Sequence, residues 1–189
     1  MNKKILVLEP FLDQLGGSEK MAFEVAKGLA GAGWEIHLGF VRDGFSRNKY
    51  ASFVKKFHAV PAPAMSIRKP WQVLQVAKKI NQRIKEENIQ LIFSSCFAYI
   101  LSAAVLERLY RIPVSFHLGL QSGVVNTLGG RLASREISAG IVPSKIGNNS
   151  WINLGWENDK LHIVPNWIDW EQYRNLPSKE QARKMLGLS

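Results

Sequence analysis

The stretch FLDQLGGSEKMAFEVAKGL, residues 11 to 29, joins the end of a short apolar run to a helical pattern, with Gly16 and Gly17 at the turn and Ser18 next. Paired glycines between a strand and a helix leave backbone N–H groups open to an anion, and the helix N-terminus adds a favourable dipole. Polar or glycine residues close other apolar runs as well. Ser94 and Ser95 follow IQLIF, His117 and Gly119 end IPVSFHLG, Pro143 and Ser144 follow AGIV, and Asn166 ends LHIVPN. Each position has a plain structural reading beside the chemical one. Gly16, Gly17 and Ser18 fit a turn and helix cap as well as an anion cradle. His117 fits a buried histidine satisfied by a backbone carbonyl, and Ser94, Ser95 and Ser144 fit caps. Cys96, with no His or Asp beside it in sequence, reads as a small buried hydrophobe.

Several chemistries are disfavoured. His37, His58, His117 and His162 lack metal-ligand spacing, and no carboxylate cluster marks a magnesium site, so neither metal nor cofactor is expected. The glycine loop is not G-x-G-x-x-G, GLAGAG ends a helix instead of opening one, and no P-loop pattern occurs, which disfavours ordinary NAD and ATP binding. A net charge of +10, from 25 basic and 15 acidic side chains, favours anionic partners. Nucleic acid ranks last among these, for want of a motif or regularly spaced stacking aromatics. A single cysteine excludes a disulfide framework, no apolar stretch is long enough to span a bilayer, and MNKK runs straight into a strand. Together these point to the cytoplasm.

The elements that must position these residues alternate. Strands are expected over Lys4–Leu8, Trp34–Val41, His58–Val60 and in IQLIFSS, IPVSFHLG, AGIVPS and LHIVPN. Helices are expected over Ser18–Leu29, Tyr50–Phe57, from Pro70 through WQVLQVAKKINQRIKEEN, in AYILSAAVLERLY and over Lys145–Leu154. Alternation of this kind specifies an α/β fold, a doubly wound, mostly parallel sheet with helices on both faces. Ligands of such sheets bind outside the carboxyl ends of the strands, where Gly16, Gly17, Ser95, His117, Ser144 and Asn166 should meet. Past VPNWIDWEQYR the alternation stops, and LPSKEQARKMLGLS reads as a separate helix with Ser178 and Gln181 as a capping box. Residues 1–170 are thus expected to form one Rossmann-like domain, and residues 171–189 a linker and the start of a second.

The segment SIRKPWQVLQVAKKINQRIK is amphipathic, with Val73, Ala77, Ile80 and Ile84 forming one stripe and Lys78, Lys79 and Arg83 lying elsewhere. Arg68 and Lys69, extended by Lys55 and Lys56, could make a basic patch with Trp71 as interfacial anchor. With the stripe packed on the sheet, the basic face would dock weakly and electrostatically on an anionic membrane. A solvated outer face is the plain alternative.

Several stretches together resemble family 4 glycosyltransferases. GGSEKMAFEVAKGLAGAGWEIHL resembles the family's GG-x-E loop and following helix, with Gly16, Gly17 and Glu19 in the loop. IPVSFHLG is similar to its P-V-V-x-T-x-H strand, with His117 at the histidine. GIVPSKIGNNSWINLGWENDKLHIVPNWIDWEQY is similar to a later segment, with Ser144, Pro165, Asn166 and Asp169 in register and Trp167 where the family usually has glycine. The resemblance implies the N-terminal, acceptor-side half of a two-domain GT-B fold and metal-independent sugar transfer from a nucleotide-sugar, usually with retention. It also implies that Gly16 and Gly17 face the donor diphosphate and His117 the transferred sugar. Glu19 would brace the loop, and Ser144 and Asn166 would be structural. The acceptor is expected to be lipid-linked or a polysaccharide precursor, and the chain to be inactive without the half that carries the family's E-x₇-E glutamates. A stand-alone module binding an anionic ligand or partner subunit is the alternative. An open reading frame continuing into a second Rossmann-like domain would favour the enzyme.

Overall fold

The computed structural model describes residues 3–14, 16–119, 127–166 and 174–188. Its seven strands are β1 (Lys4–Leu8), β2 (Glu35–Phe40), β3 (Val54–Ala59), β4 (Leu91–Ser94), β5 (Val114–His117), β6 (Ala139–Val142) and β7 (Leu161–Ile163). The helices are α1 (Gly17–Gly31), α2 (Arg47–Tyr50), α3 (Pro70–Glu87), α4 (Ile100–Tyr110), α5 (Leu128–Glu136), α6 (Lys145–Asn153) and α7 (Lys179–Met185). The strands form one sheet in the order β3-β2-β1-β4-β5-β6-β7, and every pairing is parallel. The order reverses between β1 and β4, which opens a crevice at the carboxyl ends of these two strands.

Each face of the sheet has its own core. Ile5, Val7, Ile36 and Leu38 pack with Ala26 of α1, while Leu6, Leu8, Ile92 and Phe116 pack with α3 and α4. The stripe of α3 is buried as its spacing predicts, with Val73, Ala77, Ile80 and Ile84 all turned to the sheet. Gly33, at φ 86° just past the end of α1, takes the left-handed turn that returns the chain to β2.

Two expectations about elements need correction. The helix expected over Tyr50–Phe57 shrinks to the single turn of α2, and residues 54–59 form β3. Pairing with β2 decides this, with Val54 and His58 buried on the added edge strand. Residues 128–136, which carry no helical signal because Gly129 and Gly130 interrupt them, form the crossover helix α5. Tertiary contact overrides propensity there: a side chain on Gly129 would collide with Ile67. The capping box of α7 forms between Ser178 and Gln181. The expected domain boundary at residue 170, together with Trp167 and Asp169, lies outside the described residues.

Beside the β2–β3 pairing lies a buried chain of polar groups. His37 Nδ1 is 3.0 Å from His58 Nε2, and His37 Nε2 is 3.0 Å from Glu35 Oε1. The carboxylate only accepts, so His37 carries its proton on Nε2; its Nδ1 then accepts, and His58 donates. Glu35 in turn pairs with Lys4 at 3.1 Å.

Candidate active site

The crevice takes its shape from the first turn of α1. Gly16 is the N-cap residue in extended backbone, and no side chain caps the helix. Ser18 lies inside the helix, where its hydroxyl donates to Glu19 Oε2 at 2.9 Å. The opening N–H groups of a 15-residue helix are therefore not taken by a capping side chain. Gly17 has an ordinary negative φ, and a Cβ there would meet nothing within 4 Å. What it contributes is the lack of a side chain above those N–H groups, not a special conformation.

Across the crevice, His117 ends β5 and is buried to 6% exposure. Its Nε2 lies 3.2 Å from Asn166 Oδ1, which follows β7. Gly119 leaves room beside the ring, where a Cβ would lie 3.4 Å from His117 Cε1. Gly17, Ser18, Ser95, Cys96, His117, Gly119 and Asn166 line one cleft of about 550 Å³, with Phe97 and Trp151 as its apolar wall. Trp151 is pinned there by donating Nε1–H to the Leu118 carbonyl at 3.2 Å.

Over residues 15–172 the sequence matches the family model of Glycosyltransferase Family 4. The chain belongs to glycosyltransferase family 4. No curated protein matches it by sequence. Its fold is similar to HepE of Anabaena, crystallised in complex with UDP, with a TM-score of 0.73 and 19% identity over 97% of this chain and 50% of that one. A glycosyltransferase from Rickettsia africae gives 0.71 at 15% identity over 100% and 50%, and the sucrose-phosphate synthase of Thermosynechococcus elongatus 0.70 at 11% over 100% and 53%. At such identities the likeness shows fold alone: the Rossmann-like N-terminal half of a GT-B structure. The chain spans about half the length of these relatives.

The family-4 positions separate in space. Gly17, His117 and Asn166 meet in the cleft. Asn166 is exposed, and its Oδ1 lies 3.2 Å from His117 Nε2, a supporting contact to the histidine ring. Ser144 stays out of the cleft and caps α6, accepting from the Gly147 N–H at 3.1 Å. Gly16 and Glu19 face a neighbouring cleft. Ser94 and Ser95 are not helix caps. Ser94 bonds the Leu8 carbonyl, and Ser95 donates to Glu9 Oε2 at 3.3 Å. Burial pushes the Cys96 thiol above its ordinary value, which disfavours a thiolate nucleophile. Sequence reading missed Glu9, the acidic residue directly after the apolar run of β1, although the strand-end rule that selected His117 applies to it equally.

The basic patch is smaller than expected. Arg68, Lys69, Trp71, Lys78 and Lys79 are exposed. Arg83 pairs with Glu86 at 2.8 Å and Lys56 with Glu87, so neither is a spare cation. Glu87 ends α3, so Lys56 lies about 27 Å along the helix from Arg68 and Lys69, taking about 1.5 Å per residue, and the patch is not continuous.

Proposed function

We propose that this chain is the acceptor-side half of a retaining glycosyltransferase, moving a sugar from a nucleotide-sugar to a lipid-linked or polysaccharide acceptor. The observation that carries this is the uncapped start of α1 facing an Asn166-held His117 across a cleft at the switch point of a family-4 chain. HepE, of similar fold, was crystallised with UDP-glucose. On this reading an acceptor hydroxyl oxygen bonds to the anomeric carbon as the bond from that carbon to the diphosphate oxygen breaks; the electron pair leaves with the diphosphate, which takes up the hydroxyl proton. The open N–H groups at Gly17 and Ser18 stabilise that developing charge, with no metal needed. His117, fixed by Asn166, holds a hydroxyl of the transferred sugar. A second half of comparable length completes the donor pocket, so the chain alone does not turn over.

The test is turnover of UDP-glucose and other nucleotide-sugars by the full gene product beside Gly17→Val and His117→Ala. Gly17→Val, whose side chain would cover the open N–H groups of an intact fold, and His117→Ala, which should lower turnover more than stability, are each expected to lose at least tenfold in rate. Near-normal rates in both, or turnover by the 189-residue chain alone, would overturn the reading.

The same reading places the enzyme on the cytoplasmic surface of an anionic membrane. Met65, Ile67, Trp71 and Leu74 expose about half of their surface beside Arg68 and Lys69, and Leu128 and Leu132 of α5 are exposed as well. Apolar insertion therefore joins the electrostatic attraction. Co-sedimentation with anionic vesicles should fall with salt and drop at least fivefold in Trp71→Ala. Equal binding to neutral vesicles, or none to either kind, would sink it.

A further inference from the structure

Two serines that line the His117 cleft turn their protons away from it. Ser18 Oγ donates to Glu19 Oε2 at 2.9 Å, and Ser95 Oγ donates to Glu9 Oε2 at 3.3 Å. Both carboxylates lie on the other side of the glycine loop, in the neighbouring cleft. The His117 cleft therefore meets the lone pairs of these two hydroxyls and not their protons. For a diphosphate that polarity is inverted, because an anion is held by donors.

Glu9 is the carboxylate that can release its serine. It is only 2% exposed, and besides the Ser95 bond it accepts only from the Phe11 N–H, at 3.5 Å. No cation compensates it. Lys20 and Lys27 of α1 and Lys49 of α2 line the neighbouring cleft without forming an ion pair among the described residues. Arg42, on the loop that covers residues 10–14, is turned to Asp13 at 3.5 Å. The other charges of α1 on this side, Glu19 and Glu24, are negative themselves. Of the neutral groups, Tyr50 has its buried hydroxyl without any partner, so it gives Glu9 no hydrogen bond. Cys96 and Tyr99, past the end of β4, carry no charge near neutrality. A carboxylate enclosed in this way is poorly held in its charged form. Burial first, then the Glu19 carboxylate, pushes the Glu9 carboxyl up to about 7.

We infer that Glu9 is a positioning residue that couples diphosphate binding to proton uptake, by setting which way the Ser95 hydroxyl points. When the diphosphate enters, Glu9 takes one proton from solvent and its hydrogen bond with Ser95 reverses. The carboxyl O–H now donates to Ser95 Oγ, and Ser95 turns its own proton to a diphosphate oxygen. Removing the Glu9 charge also removes its repulsion of the incoming anion, so both effects have the same sign. Departure of the diphosphate returns the proton to solvent. The place of the diphosphate is taken from the transferase reading; the Glu9–Ser95 link is independent of it.

Calorimetric titration of the gene product with UDP, in two buffers of different ionisation enthalpy, counts the protons taken up. Free Glu9 holds its proton at about pH 6 and has lost it by about pH 8, so uptake per UDP should rise over that interval towards one. The terminal phosphate of UDP titrates as well, but identically for every variant, and Glu9→Gln therefore isolates the contribution of the protein. The ratio of wild-type to Glu9→Gln affinity should fall about fivefold or more from about pH 6 to about pH 8. Ser95→Ala keeps the test valid if Glu9→Gln fails to fold. It should weaken UDP at least threefold at the lower pH, where the hydroxyl faces the ligand, and hardly at all at the higher. A constant ratio, or an equal loss in Ser95→Ala at both pH values, overturns the inference. A constant ratio in a gene product that transfers sugar removes this inference alone; proton-linked UDP binding in one that transfers none removes the transferase reading alone.

Discussion

α1 and α6 both start at the carboxyl edge of the sheet, and their first turns are built in opposite ways. Ser144 stands at the N-cap of α6, and its Oγ takes the Gly147 N–H. Thr127 does the same for α5 and Ser178 for α7. At α1 the N-cap is Gly16, and the nearest serine is two places inside the helix with its hydroxyl turned to Glu19. The residue types are the same, a serine among glycines. A cap serine consumes the N–H that an anion would use, whereas the same serine two residues later leaves it open. Position, not composition, separates a capped helix end from an open one.

Moving the serine should therefore move the property. Gly16→Ser supplies α1 with the missing cap, and the affinity of the gene product for UDP, read by calorimetry, is expected to fall about tenfold, or about 1.4 kcal/mol. The displaced Glu19 carboxylate is the flexible end of its side chain and can swing aside. Undiminished UDP affinity would mean that the first turn of α1 is not where the diphosphate sits. Ser144→Ala is the reverse test: chemical denaturation should show a loss of about 1 kcal/mol, with UDP affinity unchanged. Ser18→Ala should do least, within about 0.5 kcal/mol in stability, because its hydroxyl caps nothing. A loss matching that of Ser144→Ala would erase the distinction between the two ends.

Much of this was legible in advance, for definite reasons. The apolar runs of β1, β4 and β5 and the four-residue spacing of α3 signal buried elements through periodicity alone, and alternation then dictates a parallel sheet. The strand-end rule brought Gly17, His117 and Asn166 to one cleft without any contact being known. What stayed hidden depends on long-range packing. β3 exists because β2 offers it an edge, and α5 exists because Gly129 lets Ile67 lie against it. Glu9 was overlooked because an acidic residue after a strand looks solvent-exposed until the loop from residue 41 to residue 46 folds over residues 10–14 and encloses it. The pairing of Arg83 with Glu86, three residues on in the same helix, was by contrast open to view in the sequence.

The paired imidazoles of β2 and β3 bear on how the protein behaves in storage. Burial first, then the neighbouring His37, holds His58 below its ordinary value near 6.5, with Lys56 and Arg83 in the same direction and Glu87 opposing. The unfolded chain thus takes up the proton before the folded one, so stability is lost as pH drops from about 6.5 through the folded-state value. Glu35 and Glu87, both held low by their partners, follow only in stronger acid. Since β3 is the outermost strand, its loosening uncovers β2, and a bare strand edge is a template for other chains. The charge of +10 keeps molecules apart, but only where salt does not screen it. Light scattering should stay flat at about pH 7 at any ionic strength and climb at about pH 5 in high salt; a flat trace there would mean that His58 takes up its proton without releasing the edge.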